Sequence, residues 1–168
     1  MLTVSLLVCA MMALTQADHD GVLKGTATEA GEVSPVFRSR RALVCPAGWT
    51  LHGQRCFYSE ATAMTWDLAE ANCVNKGGHL ASIHSLEEQL YIKDIVAGIV
   101  WIGGSACKVA GAWSWTDGTP VDYRTWCPTK PNDILSDCCM QMTAAVDKCW
   151  DDLPCPASHA SICAKAAI

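Results

Sequence analysis

The cysteines of this chain constrain its fold more than any other feature. Ten of them lie between residues 45 and 163, and five of those ten fall between Trp126 and Cys155. Cys138 and Cys139 are adjacent. A disulfide between neighbouring residues would close a strained ring, so each is expected to bond to a different partner. The segment 126–155 is therefore predicted to be a long irregular loop region, held rigid by covalent bonds, in which function is displayed.

The first 41 residues are predicted to be removed from the mature protein. Residues 1–17 form an apolar run that ends in small residues, which is typical of a secretory signal peptide and too short to cross a membrane. Residues 18–41 end in Arg-Ser-Arg-Arg, which predicts a pro-peptide cut at paired basic residues. The alternative is an uncut basic linker. Removal takes Cys9 away and leaves an even number of cysteines in residues 42–168, as a secreted disulfide scaffold requires.

The charge of residues 42–168 limits the possible partners. Eight Lys and Arg stand against thirteen Asp and Glu, a net charge of −5, with no basic cluster. This balance argues against nucleic acid and against anionic membranes. We expect a monomeric, secreted, extracellular domain. Its stability should come mainly from disulfides, each of which typically contributes about 2–4 kcal/mol.

Two helices are predicted ahead of most strands. The first begins after Thr65 as N-cap and ends at Gly77-Gly78. Its buried face is expected to hold Trp66, Ala69 and Cys73. The second begins at Ser85, which forms a capping box with Glu88. Its apolar residues, among them Leu86 and Leu90, are expected in the core.

Short strands account for the rest of the predicted regular structure. A hairpin turns at Gly53, and a buried strand covers 99–104. Aromatic residues alternate with small polar ones before an Asp-Gly turn at 117–118, and two closing strands follow near residues 150 and 162. Two helices followed by short strands indicate an α+β fold.

Several landmarks in this order resemble the C-type lectin-like domain family. They are CPAGW at 45–49, WIGG at 101–104, WSWTDG at 113–118, KPN at 130–132, WDD at 150–152 and SIC at 161–163. The resemblance implies two helices, two small antiparallel sheets and a long loop region. It also implies the disulfides Cys45–Cys56, Cys73–Cys163 and Cys139–Cys155. We pair the remaining four cysteines as Cys107–Cys138 and Cys127–Cys149, which makes five bridges.

Sugar-binding members of that family hold Ca²⁺ in the loop region, and the resemblance assigns five positions to this site. They are Lys130, Asn132, Asp137, Asp151 and Asp152. Calcium prefers six to eight oxygen ligands, and Lys130 offers an ammonium instead. We therefore expect no metal or other cofactor, and Lys130 is predicted to pair with Asp137 or Asp152 in place of the ion.

A closer resemblance is to the fish type II antifreeze proteins, in particular the metal-independent branch typical of sea raven and poachers. It rests on the ten-cysteine pattern and on the motifs WIGGSAC, DCCMQMTAA and WDDLPCPASH, and it extends to the leader. It implies a blood-plasma protein that adsorbs to ice crystals and stops their growth without calcium. The alternatives are a calcium-dependent carbohydrate-binding lectin and a metal-free protein-recognition module.

An ice-binding surface must be rigid, flat and weakly charged, because charged side chains lose their hydration at high cost. The candidates in the loop region are Thr129, Lys130, Asn132, Ile134 and Leu135. An apolar Ile-Leu pair in a polar loop is either exposed for binding or tucked beneath the loop as a small core. A second candidate surface is 156–159 with Ser158, and a third is the second helix with Ile92 and Ile95.

No catalytic site is predicted. The histidines of the mature region have no partners at the spacing of a metal site or a catalytic triad, and its cysteines are expected to be oxidised and unreactive. Asp151 and Asp152 are adjacent, so their side chains should point in different directions. We therefore expect no enzyme activity.

Overall fold

A computed structural model describes residues 42–133 and 135–168. The predicted signal peptide and pro-peptide, and the candidate Ile134, lie outside these residues. The described part contains two helices and eight strands. In chain order they are β1 Thr50–His52, β2 Arg55–Met64, α1 Trp66–Asn75, β3 His79–Leu80, α2 Leu86–Ile95, β4 Val100–Ser105, β5 Ser114–Trp115, β6 Cys139–Met142, β7 Trp150–Leu153 and β8 His159–Ala166.

The eight strands form one continuous sheet, whereas two small antiparallel sheets were predicted. The strand order is β1-β2-β8-β4-β6-β7, with β3 paired to β8 and β5 paired to β4. The pair β4–β8 is parallel, through Val100 with Ala160 and Trp101 with Ser161, and the other pairs are antiparallel. This parallel pair joins the strands of the two termini to the strands next to the loop region. Such a junction leaves no local signature, because its partners lie far apart in the chain.

Helix α1 follows the sequence prediction closely. The hydroxyl of Thr65 accepts a hydrogen bond from the backbone N–H of Leu68 at 3.4 Å, so Thr65 is the N-cap. Trp66, Ala69 and Cys73 are buried, as predicted. After Lys76 the chain turns at Gly77, whose φ is +79°, a left-handed value that glycine adopts without strain. The helix therefore packs through the face that its periodicity indicated.

Helix α2 begins as predicted but buries a different face. Ser85 Oγ accepts from the backbone N–H of Glu88, as a capping residue does. Leu86 and Leu90 were expected in the core and are exposed, so that prediction is wrong. Gln89 and Ile92 are buried instead. The polar Gln89 is stable there because it donates to the Lys148 carbonyl at 2.7 Å and accepts from Trp150 Nε1 at 3.0 Å.

Five disulfides cross-link the described residues. They are the five expected pairs, Cys45–Cys56, Cys73–Cys163, Cys107–Cys138, Cys127–Cys149 and Cys139–Cys155. Cys138 and Cys139 do bond to different partners. Three of the five bridges have at least one cysteine between residues 127 and 149, so the loop region is pinned to the sheet at several points.

The core divides into two clusters on the two sides of the sheet region. One surrounds Trp150 and includes Phe57, Ile92 and Met140. The other surrounds Trp101 and includes Trp66 and the Cys73–Cys163 bridge. No helix among residues 42–133 and 135–168 is long and apolar enough to cross a membrane.

Candidate functional site

The loop of residues 128–137 is anchored on the buried carboxylate of Asp152, which lies in β7. The side chain of Asp152 is fully buried. Its two oxygens accept hydrogen bonds from the backbone N–H of Asn132 at 3.1 and 3.2 Å, and one of them accepts from the N–H of Asp133 at 3.0 Å. Bonds to an ionised acceptor are strong. They hold the backbone of the loop against the sheet.

Lys130 projects into the same group of carboxylates. Its Nζ lies 2.7 Å from Asp151 Oδ1 and 3.8 Å from Asp152 Oδ1. The hydrogen bond to Asp151 raises the pKa of Lys130 against the opposing effect of burial, and the charges of Asp151, Asp152 and Asp137 add to the rise. Asp152 was a predicted partner, but the nearest one is Asp151, which the sequence reasoning did not name. Asp151 and Asp152 are adjacent in the chain, and the long side chain of Lys130 reaches the carboxylates of both.

Three of the described ice-binding candidates of this loop face solvent, whereas the side chain of Lys130 is directed towards Asp151. Thr129 and Asn132 are exposed, and Thr129 has a φ of +67°. Leu135 is 87% exposed, so it does not pack beneath the loop as a small core. An apolar side chain so exposed, two positions after the anchored Asp133, is available for contact with a surface.

The second candidate surface lies just before β8. Ser158 is exposed, and its neighbour Ala157 packs against the cluster around Trp101. His159 lies edge-on to Trp101 at a centroid distance of 4.9 Å, and burial lowers the pKa of His159. Ser158 therefore stands at the surface of a well-packed part of the domain. The third candidate, α2, was predicted through Ile92 and Ile95. Ile92 is fully buried and Ile95 is partly buried against the core, so the prediction is wrong for Ile92.

One polar cluster escaped the sequence analysis. His84 Nδ1 lies 2.8 Å from Asp122 Oδ1, and His84 Nε2 lies 3.1 Å from both Ser82 Oγ and Thr119 Oγ1. A hydroxyl, a histidine and an aspartate in this order are the arrangement of a catalytic triad. The expectation that His84 has no triad-type partner is wrong, because Asp122 is 38 positions away in the chain and no local pattern connects them.

The hydrogen bonds of this cluster do not provide a nucleophile. Ser82 is fully buried, and its hydroxyl donates to Asp117 Oδ2 at 2.5 Å. Thr119 donates to Asp117 Oδ1 at 2.6 Å. Both hydroxyl protons are thus directed at a carboxylate and away from His84, the group that would have to remove them. Burial disfavours the charge of Asp117, but the bonds from Ser82 and Thr119 outweigh it and hold the pKa of Asp117 below its ordinary value.

The α+β fold, its five bridges and the order of the sequence landmarks are those of a known family. Residues 62–165 match the family model described as the Lectin C-type domain. The chain belongs to the C-type lectin family. Its C-type lectin fold superposes with a TM-score of 0.76 on the crystal structure of a calcium-independent type II antifreeze protein. That protein is 98% identical, and the match covers 77% of this chain and 99% of the other.

Two further C-type lectin relatives place the chain within the family. A type-2 ice-structuring protein of Hemitripterus americanus is 68% identical over 98% of each chain. A calcium-dependent type II antifreeze protein, solved in its calcium-free form, is 41% identical with a TM-score of 0.70 over 73% of this chain and all of the other. The relatives named for ice thus include both calcium-independent and calcium-dependent proteins.

The residues of this C-type lectin domain do not fit the calcium ion that the family implies. Asn132, Asp137, Asp151 and Asp152 offer oxygens, but calcium requires six to eight of them around one point. The ammonium of Lys130 lies between two of these carboxylates, 2.7 Å from Asp151 Oδ1 and 3.8 Å from Asp152 Oδ1, and it offers a cation no ligand. Both oxygens of Asp152 are already engaged by backbone N–H groups. The lysine thus provides the positive charge that these carboxylates would otherwise need from a cation.

Proposed function

We propose that this protein is a calcium-independent antifreeze protein that adsorbs to ice and limits crystal growth. The observation that carries the proposal is the 98% identity to a calcium-independent type II antifreeze protein over nearly all of that chain. The ion pair of Lys130 with Asp151, which places an ammonium among the carboxylates that could bind calcium, supports the calcium independence. It also weighs against the alternative of a calcium-dependent carbohydrate-binding lectin.

The physical requirements of ice adsorption support the same conclusion. A flexible loop would lose conformational entropy on adsorption, whereas a loop that is already ordered loses little. In this loop Asp152 holds the backbone of Asn132 and Asp133, and Lys130 pairs with Asp151. The Cys107–Cys138 bridge ties down the chain directly after residue 137. Charged residues make up only 17% of the chain, which limits the hydration that ice would displace.

The experiment that tests this function is the thermal hysteresis of the purified protein, measured with and without a calcium chelator. We expect the gap between melting and freezing temperature to be present and unchanged by the chelator. A parallel measurement of calcium-dependent binding to immobilised sugars tests the lectin alternative. Absence of hysteresis at high protein concentration contradicts the antifreeze function, and its loss on chelation contradicts calcium independence.

We further propose that the loop of residues 128–137 contributes the ice-contacting surface, with Thr129, Lys130, Asn132, Ile134 and Leu135 as its candidate residues. The exposed Leu135 and the anchored backbone support this choice. Ser158 belongs to the second candidate surface, and its replacement by the bulky histidine tests that surface in the same assay.

Leu135→Asp and Val146→Asp form a matched pair for this question. Both side chains are almost fully exposed, 87% for Leu135 and 89% for Val146, and both lie in loops. A carboxylate retains its water, so Leu135→Asp should reduce hysteresis several-fold, while Val146→Asp should leave it unchanged. Neither change should alter the melting temperature by more than about 2 °C, since surface substitutions cost little. Equal hysteresis in both variants would show that Leu135 is not part of the ice-binding surface.

The remaining properties follow from this function. We propose that the protein is secreted into blood plasma as a non-catalytic monomer that binds neither nucleic acid nor membranes. We also propose that residues 1–17 are a signal peptide and residues 18–41 a pro-peptide, so that the mature chain begins near Ala42. The intact mass of the natural protein tests this boundary, and a mass that includes residues 18–41 contradicts it.

A further inference from the structure

Two of the five disulfides pack directly against each other. The bridges Cys107–Cys138 and Cys139–Cys155 place their four sulfur atoms within 4.8 Å of one another. Between the bridges, Cys107 Sγ lies 3.5 Å from Cys155 Sγ and 3.9 Å from Cys139 Sγ, and Cys138 Sγ lies 3.6 Å from Cys155 Sγ. We call these four residues the sulfur cluster.

The surroundings of the sulfur cluster bear on its reactivity. Cys107 is exposed, while Cys139 is buried, so a small molecule in solution meets the cluster at Cys107. The bridge Cys127–Cys149 offers a contrast. Its sulfur atoms lie next to a hydroxyl, that of Thr143, at 3.9 and 3.7 Å. A thiolate released at Cys127–Cys149 would therefore face an alcohol, whereas one released in the sulfur cluster faces a second disulfide.

Only one alternative pairing of the four cysteines is free of a bridge between neighbours. A Cys138–Cys139 bridge would be strained. The remaining arrangement joins Cys107 to Cys139 and Cys138 to Cys155. The sulfur atoms of these new pairs are already 3.9 and 3.6 Å apart. Because Cys138 and Cys139 are adjacent, the change shifts the connection of the loop to the sheet by a single residue.

We propose that the sulfur cluster is a site of thiol–disulfide exchange that reacts with small monothiols and interconverts these two pairings. The thiolate of the small molecule attacks Cys107 Sγ, and Cys138 leaves as a thiolate. Cys138 then attacks Cys155 Sγ, and Cys139 leaves. Cys139 attacks Cys107 Sγ and expels the small thiolate. Two disulfides are present before and after, no electrons are gained or lost, and the small thiol is regenerated.

The variant Cys107→Ser tests the middle step without any added thiol. It leaves Cys138 unpaired, 3.6 Å from Cys155 Sγ. We expect exchange to distribute the free thiol between Cys138 and Cys139, which alkylation followed by tandem mass spectrometry locates within the one peptide that contains both. The matched control is Cys127→Ser, which leaves Cys149 unpaired beside Thr143, and there the label should stay on Cys149 alone.

A second variant and the wild-type chain complete the test. Cys155→Ser leaves Cys139 unpaired, 3.9 Å from Cys107 Sγ, and should yield free Cys138 by the same route. Should either variant lose its near-ultraviolet circular dichroism, the folded wild-type chain is incubated with a catalytic amount of monothiol and mapped for a Cys107–Cys139 bridge. Label confined to the originally unpaired cysteine in folded variants overturns the proposal. The native pairing alone in the thiol-treated wild type does so as well.

Discussion

At the scale of single residues, Lys130 decides the chemistry of the loop region. An ion pair between exposed side chains contributes little to stability. When one partner of a pair with a buried carboxylate is removed, by contrast, the domain is strongly destabilised, because a buried charge is left uncompensated. Asp152 is fully buried, and Asp151 Oδ1 lies 2.7 Å from the ammonium. Removal of the ammonium leaves these carboxylates close together without a cation. One lysine thus supplies the positive charge beside both carboxylates.

Replacement of Lys130 by glutamine should therefore lower the free energy of unfolding by about 2 kcal/mol at neutral pH, as expected when one partner of a largely buried pair is removed. Lys130→Arg keeps the charge and should lose less than half of that. Chemical denaturation measures both variants. Equal losses of unfolding free energy in Lys130→Gln and Lys130→Arg would mean that packing matters more than charge. Added calcium should raise the melting temperature of Lys130→Gln and leave that of the wild type unchanged.

The carboxylate of Asp117 makes stability depend on pH. Its folded-state pKa lies below the ordinary value, so its stabilisation is present above about pH 4 and is lost as the pH falls through the lowered pKa. Asp117 is half-buried, so the loss in Asp117→Asn at pH 7 should be only about 1 kcal/mol. At pH 3 the difference from wild type should shrink, and a constant difference between pH 7 and pH 3 would contradict this account.

At the scale of elements, the buried face of α2 is determined by hydrogen bonds as well as by hydrophobicity. The side chain of Gln89 is hydrogen-bonded to both Lys148 and Trp150, so the helix face that carries Gln89 packs against the core. Leu86 and Leu90 then point to solvent. A binary hydrophobic pattern predicts the opposite face, because it treats glutamine as a surface residue.

Gln89→Leu should thus destabilise the domain although it adds an apolar side chain to the core. It leaves the Trp150 indole N–H and the Lys148 carbonyl without partners, which together should cost about 2–4 kcal/mol. Leu90→Gln, on the exposed face of the same helix, should change the unfolding free energy by less than about 0.5 kcal/mol. Denaturant unfolding compares the two, and a neutral Gln89→Leu would show that the hydrogen bonds are dispensable.

At the scale of the whole molecule, five disulfides connect a sheet whose strands come from both ends of the chain. β2 pairs with β8, and the bridge Cys73–Cys163 spans 90 positions. Each bridge typically contributes about 2–4 kcal/mol, mainly by restricting the unfolded chain. The sum is comparable to the whole stability of a small domain, which is about 5–15 kcal/mol.

Full reduction should accordingly unfold the domain at room temperature. Near-ultraviolet circular dichroism should lose the signals of the packed tryptophans, and the cooperative melt should disappear. Alkylation without prior reduction is the control and should have no effect, since the ten cysteines are bonded in pairs. A reduced protein that still melts cooperatively would show that its two core clusters suffice.

Local signals in the sequence determined much of this fold. The cap at Thr65 and the buried face of α1 depend on residues within about two turns of each other, and the hairpin at Gly53 depends on even fewer. The odd number of cysteines, with one in the predicted leader, indicated five bridges. The family resemblance implied three of the pairs, and the other two joined the four cysteines that remained. The lysine at position 130 was enough to question the calcium site, because no rearrangement turns an ammonium into a ligand.

Only the tertiary structure decided which distant groups meet. The joining of β4 to β8, the contact of Lys130 with Asp151, the burial of Gln89 and the pairing of His84 with Asp122 all connect residues between 21 and 61 positions apart. The sulfur cluster likewise brings Cys107 to Cys155. The physical reason is that side-chain preferences act over one or two turns, while these contacts depend on where the sheet and its bridges place separate segments.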